Sequence, residues 1–151
     1  LRQSGLDCPI LVLGNLINSQ ELLACLDWGL MPTLSSHREA LICQKLAEAA
    51  KCNFDIHLKL DTGMTRLGCD LSDAINLIEK VDGFDNLDLI GVYSHLALAD
   101  GEMEDQIASV TSQQKQKFDT FLGTLPPRNE PLLFHLANQK KNPKTLTSSY
   151  L

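Results

Sequence analysis

The chain has 151 residues, 44% of them hydrophobic and 21% charged, with a formal net charge of −6 at pH 7. This is the composition of a soluble globular protein rather than a disordered or fibrous one. The acidic balance leaves no basic footprint for nucleic acid and no polybasic patch for anionic lipid, so neither is an expected partner.

The five cysteines (Cys8, Cys25, Cys43, Cys52, Cys69) are scattered and odd in number. Without a CxxC pair they argue against a zinc site and a disulfide framework, and for reduced thiols in a cytosol-like compartment. Leu1 to Leu13 has neither the charged start nor the long apolar core of a signal peptide, and no stretch approaches a membrane span. The protein is read as cytoplasmic. A chain that opens on Leu1 rather than Met is read as a fragment.

In chain order, Pro9-Ile-Leu-Val-Leu-Gly14 predicts a short strand buried on both faces and ended by glycine. Ser19 then caps a helix with its apolar stripe at Leu22, Leu23 and Leu26 and its stop at Gly29. Met31 to Ser35 reads as a second strand, and Ser36 caps a helix to about Ala50 with Ala40, Leu41, Cys43, Leu46 and Ala47 inward. Ile56 to Gly63 is the third strand. Asp70 or Ser72 caps a helix through Ala74, Ile75, Leu77 and Ile78 that ends near Gly83.

Leu87 to Leu96 (LDLIGVYSHL) is a further strand. After a polar loop, Thr111 or Ser112 opens a helix through Phe118, Phe121 and Leu122, ended by Pro126-Pro127. Leu132 to Ala137 is the fifth strand. Strands and helices that alternate five times, with a repeat of roughly 25–35 residues, predict parallel βα units and the α/β class. Gln139 to Leu151 has no apolar period and contains Pro143, so it is read as a divergent, disordered tail.

The sharpest chemical signal is Ile56 to Gly68, IHLKLDTGMTRLG. Ile56, Leu58 and Leu60 point one way, and His57, Lys59 and Asp61 the other. Inside a sheet such polar groups persist only if paired or used. Arg66 follows in the loop at the strand's carboxyl end, where parallel α/β architectures build their sites. On these residues alone, a structural Lys59–Asp61 pair with a solvated Arg66 fits as well as a functional site.

His95 stands near the end of the fourth strand in an apolar run, where a histidine is more often a core residue bonded to backbone. His37 and Arg38, in SSHREA, read as solvent-facing residues of a first helical turn. Asp100, Glu102, Glu104 and Asp105 read as a solvated acidic loop rather than a metal site. Gly63 and Gly68 are turn glycines, not a phosphate-cradling loop.

As strings, these stretches are more specific. HLKLDTGMTRLG resembles the HLKvDTGMgRLG segment of alanine racemases, fold-type III enzymes that use pyridoxal 5'-phosphate. GVYSHLALAD, at about the right distance, resembles their GxxTHxAxAD segment, and His135 to Asn138 resembles their HxANS segment. PILVLG and MPTLSS match as well, so the resemblance spans nearly all of Leu1 to Asn138. It stops there: Gln139 stands where the family has a phosphate-holding serine, followed by Lys140-Lys141.

The resemblance implies part of a (β/α)8 TIM barrel. About five βα units are present, without the first units or the C-terminal β domain, in a chain a little over half the ~250 residues of a complete barrel. It makes residues 1–138 the central part of the pyridoxal phosphate-binding barrel and 139–151 the divergent tail. Arg66 matches an arginine that contacts the cofactor's ring hydroxyl and the substrate carboxylate region. Lys59 matches a lysine carbamylated in many members, which orients that arginine. His95 matches the histidine that positions the partner subunit's catalytic tyrosine, and Asn138 matches an asparagine at the cofactor.

The activity implied is an isomerase that interconverts L- and D-alanine for peptidoglycan of the cell wall, acting as a homodimer. Neither proton-transfer base is expected here. The family's Schiff-base lysine lies in an AVVKANAYGHG-like segment that does not occur, and Lys45, Lys51 and Lys80 match nothing in it. Its catalytic tyrosine belongs to the C-terminal domain. The chain alone is therefore expected to be inactive. The alternatives are another fold-type III amino-acid racemase or lyase, and a non-catalytic product of a frameshifted gene whose unpaired strand edges invite association.

Overall fold

The computed structural model describes residues 1–16, 18–98 and 104–137. Its strands are β1 (Leu11–Asn15), β2 (Met31–Leu34), β3 (Phe54–Asp61), β4 (Cys69–Asp70), β5 (Leu87–His95) and β6 (Leu133–Ala137). The helices between them are α1 (Ser19–Asp27), α2 (His37–Ala50), α3 (Leu71–Asp82) and α4 (Glu104–Leu122). The sheet order is β1-β2-β3-β5-β6, with two-residue β4 beside β3, and every pairing is parallel.

Each long strand is laid beside its predecessor in the same direction. Because βαβ crossovers are right-handed, all the helices then fall on one face, which is the winding of a (β/α) barrel. The helix side of the sheet carries the core. Leu34, Ile56, Leu58, Leu60 and Val92 are buried against Leu22, Ala40, Cys43, Leu77, Ile78, Val81 and Phe118. A fully buried Leu, Ile or Phe of this kind contributes about 1.5–3 kcal/mol.

The helix starts follow local chemistry. Ser36 accepts from Glu39 N, and Asp70 accepts from Ser72 N. The first helix differs from the prediction: Asn18, not Ser19, is its cap, with Oδ1 2.9 Å from Gln20 N. Helix α4 begins at Glu104, well before Thr111, so Glu104 and Asp105 open a helix rather than extend a loop. Asp100 and Glu102 lie outside the described residues, as do Asn138 and the tail 139–151.

Strand β1 is not buried on both faces. Leu13, on the concave side, is 56% exposed, because β1 is an edge of the sheet. His37 is not simply solvent-facing either: its Nε2 lies 3.1 Å from Asp73 Oδ2, joining the starts of α2 and α3. Arg38 is exposed as expected. The five cysteines are free, and burial pushes the Cys43 thiol up to about 12 and Cys69 to about 11, which leaves them unreactive.

One irregularity decides which side chains reach the concave face. Leu87 to Leu89 pair in step with Phe54 to Ile56, but the next partner of β3, His57, is Gly91. The extra residue, Ile90, makes a β-bulge that reverses the facing of β5. Below it, Leu87 and Leu89 join the helix side. Above it, Gly91, Tyr93 and His95 share the concave face with His57 and Lys59.

Candidate active site

The concave face is layered by register. One row runs Thr33, His57, Gly91 and Leu133; the next runs Lys59, Tyr93 and His135; His95 stands above, opposite Ala137. Lys59 is 5% exposed and His57 3%, so both ionisable groups are inside the fold.

Gly91 makes the lower row possible. A Cβ there would lie 2.6 Å from His57 Cε1, so the absence of a side chain gives the imidazole its place. From there His57 Nδ1 comes within 3.4 Å of His135 Nε2. His57 Nε2 is buried without a protein partner. An unpartnered lone pair costs less than an unpartnered N–H, so the proton belongs on Nδ1, donating to His135 Nε2. Burial and the neighbouring His135 hold the His57 pKa down to about 4, and burial also lowers that of His135.

Lys59 and Asp61 do not pair with each other. Asp61 Oδ1 accepts from Gly63 N at 2.9 Å and Thr65 N at 3.0 Å, so the carboxylate folds the loop that carries Arg66. Gly68 closes this loop at φ 139°, where a Cβ would meet Asp61 N and Leu60 C at 2.7 Å. Arg66 itself is exposed at the carboxyl end of β3.

The charges of Lys59, Arg66 and His95 act on one another. Burial, then Lys59, then Arg66 lower the pKa of His95, and burial, then Arg66, lower that of Lys59 against the opposing pull of Asp61. The structure thus brings together three residues singled out from the sequence. Three cationic or proton-bearing groups near one strand end are an arrangement that can take an anionic ligand atom, and burial and Arg66 lower the pKa of the lysine among them. Asn138, the fourth, lies outside the described residues. Lys45, Lys51 and Lys80 are exposed and belong to α2 and α3 or their ends.

Sequence reasoning missed the support beneath these residues. Gln114 of α4 is 2% exposed. Its Nε2 donates to Thr62 Oγ1 at 3.2 Å and to the His95 carbonyl at 3.1 Å, and its Oε1 accepts from Ala97 N at 2.8 Å. Thr62 Oγ1 in turn is 2.8 Å from Ser94 Oγ, which donates to the Leu60 carbonyl at 2.8 Å. One buried amide therefore clamps both segments that carry the cations. The spacing Gln114, Phe118, Phe121 along one helix face was the available signal. Glu39, 9% exposed, similarly joins Ser35 N at 2.6 Å to Asn15 Nδ2 at 3.0 Å at the ends of β2 and β1.

Among the described residues no cluster of three or more His, Cys, Asp or Glu could hold a metal ion, and no helix is long and apolar enough to cross a membrane.

Residues 1–140 match the family described as alanine racemase, N-terminal domain. The alanine racemase of Prochlorococcus marinus is 59% identical over 138 residues, covering 91% of this chain and 36% of that protein. Among solved structures, the alanine racemase of Clostridium difficile superposes with a TM-score of 0.78 at 23% identity, over 90% of this chain and 37% of that one. A histidine racemase from Leuconostoc mesenteroides gives 0.76 at 23% identity, over 90% and 35%. At that identity the structures speak for the fold, which is that of a racemase barrel domain. The chain spans about a third of the length of these relatives. On the family match and on the identity to the Prochlorococcus protein, the chain belongs to the alanine racemase family.

Proposed function

We propose that residues 1–138 are the central part of the cofactor-binding barrel of a cytoplasmic, pyridoxal 5'-phosphate-dependent alanine racemase, which interconverts L- and D-alanine for peptidoglycan as a homodimer. The observation that carries this reading is the convergence of Lys59, Arg66 and His95 at the carboxyl ends of β3 and β5. The donor set fits an edge of the cofactor: the Arg66 guanidinium suits an anionic ring oxygen and a substrate carboxylate, and Lys59 stands beside it. When bound, pyridoxal phosphate draws electron density from the substrate's Cα–H bond.

The chain's own residues orient rather than transfer protons. Arg66 holds the anionic oxygens from the mouth of the barrel. Lys59, biased toward its neutral amine by burial and Arg66, adds to carbon dioxide: the nitrogen lone pair forms the nitrogen–carbon bond as one C=O electron pair moves onto oxygen, the nitrogen's proton passes to water, and the resulting carbamate anion pairs with Arg66. His95 orients the group that meets the substrate from the opposite subunit, and Asn138 completes the cofactor's surroundings. The tail 139–151 takes no part.

Neither an AVVKANAYGHG-like segment nor a second, β domain occurs within these residues, so by themselves they turn over no alanine. The test is a chimera in which residues 1–138 replace the matching segment of the Prochlorococcus enzyme. The reading expects a folded, cofactor-loaded racemase. A folded chimera that binds the cofactor yet forms no D-alanine overturns it. The isolated chain, titrated with the cofactor and reduced with borohydride, is expected to show labelling spread over surface lysines and none fixed on a single one.

A further inference from the structure

Lys59 rests against an aromatic ring. Its Nζ lies 5.8 Å from the ring centroid of Tyr93, its direct partner across β3 and β5. Tyr93 is in turn paired with His135 across β5 and β6 and stacks on it, with centroids 4.7 Å apart and planes 9° from parallel. The phenol is pinned as well. Its oxygen is 2.9 Å from Thr33 Oγ1, and Thr33 spends its own proton on the Val12 carbonyl at 2.8 Å, so Tyr93 is the donor. Tyr93 is 3% exposed. A ring stacked on one residue and hydrogen-bonded to another cannot turn away, and it offers Lys59 a fixed patch of negative potential. Asp61, the carboxylate of β3 next to Lys59 on this face, uses Oδ1 on the loop amides and makes no ion pair with Lys59, on which its charge acts only from a distance.

We propose that Tyr93 is a positioning residue for the unmodified, protonated Lys59, before that lysine reacts with carbon dioxide: its ring, immobilised by His135 and Thr33, holds the ammonium at the level where Arg66 and His95 converge. This deepens the reading of Lys59, Arg66 and His95 as one site and rests on it. The chemistry asks for such a device. A lysine that must reach a defined point beside another cation has four rotatable bonds to fix and gains nothing from that neighbour. A ring face restrains the chain without neutralising it as a carboxylate would.

The test places phenylalanine, then mono-, di- and trifluorophenylalanine, at position 93 of the full chain carrying 13C- and 15N-labelled lysine. Fluorine withdraws negative potential from the ring face while nearly keeping its shape. The Lys59 signal is assigned by its loss in Lys59→Met, and its titration midpoint is followed. Arg66 of the loop, His95 of β5 and Asp61 of β3, the charged neighbours of Lys59, are constant through the series.

The proposal expects the midpoint to fall step by step, with a total change of about three- to tenfold in the protonation equilibrium. A flat series with unchanged amide spectra overturns it. Thr33→Val, which releases the phenol without altering the ring, supplies a second reading: the Lys59 side-chain signal moves toward the positions of exposed lysines, and an unmoved signal overturns the role of the anchored ring. Neither measurement uses cofactor or substrate. A flat series beside an active chimera therefore removes Tyr93 from the account and leaves the activity, whereas a graded series beside an inactive chimera does the reverse.

Discussion

The His57 imidazole occupies the space that a side chain on Gly91 would need, with Cε1 2.6 Å from the missing Cβ and the Leu133 carbonyl 2.7 Å away on the other flank. An alanine at 91 cannot be relieved by moving the ring alone, because the carbonyl belongs to the neighbouring strand. Gly91→Ala is expected to cost about 1–3 kcal/mol in urea unfolding, as overpacked cores do. His57→Ala in the same chain should recover only part of that loss.

Gln114 joins the ends of β3 and β5 through three hydrogen bonds from one buried side chain. Gln114→Leu keeps the volume and leaves the Ala97 amide, the Thr62 hydroxyl and the His95 carbonyl without this partner. The expected loss is about 2–4 kcal/mol, since each buried polar group left unpaired costs about 1–3 kcal/mol and some readmit water. Hydrogen exchange at the Ala97 amide should accelerate beyond what the global destabilisation explains.

Thr65 has φ 54°, in the left-handed region, immediately before Arg66. A β-carbon there costs roughly 1–2 kcal/mol, while glycine returns about 0.5–1 kcal/mol through the unfolded chain. Thr65→Gly should therefore stabilise by about 0.5–1 kcal/mol, seen as a higher denaturant midpoint at an unchanged m-value. Thr65→Val should lower the midpoint.

The buried histidines make stability depend on acid. His57 titrates near 4 when folded against an ordinary value of 6.5, because burial and His135 disfavour its charge. The unfolded chain thus binds the proton more readily. Above about pH 6.5 His57 contributes no pH dependence; stability falls as pH drops from there toward 4 and levels off below. The full penalty is about 3 kcal/mol. His135, lowered by burial, adds in the same direction. His57→Leu should flatten the profile of unfolding free energy between pH 6.5 and 4 while His135 keeps its share.

Much of this fold was legible in the residues. The alternation in β3 separates its two faces as the structure has them, and Ser36 and Asp70 cap their helices. Strand β5 lies where the sequence predicts a strand, but its facing was not legible, because a bulge at Ile90 reverses it and apolar Leu-Asp-Leu-Ile-Gly carries no local sign of the slip. Ser19 and Asn18 serve equally as a cap by composition, and only backbone geometry distinguishes Asn18.

Within the site, Lys59 and His95 could be singled out because ionisable groups in apolar strands stand out, and Arg66 because it follows β3 in the HLKLDTGMTRLG string. His57 stood out on the polar face of its strand without a role, and Tyr93, Thr33 and Gln114 did not stand out at all. Each of these three is ordinary in its own segment, and its role exists only through register between strands far apart in sequence. The Lys59–Asp61 pairing failed for a related reason: a turn of Gly63 and Thr65 amides competes for the same carboxylate.

The measurement that tests the account most directly is D-alanine formation by the chimera carrying residues 1–138, as built and with Arg66→Met or Arg66→Lys. If Arg66 holds the anionic oxygens at the reacting centre, kcat should fall by about a hundredfold or more with methionine, the order seen when a group that stabilises developing charge is removed. Lysine should recover part of it. An Arg66→Met chimera within about twofold of its parent would contradict the assignment of Arg66, and with it the site built from Lys59, Arg66 and His95.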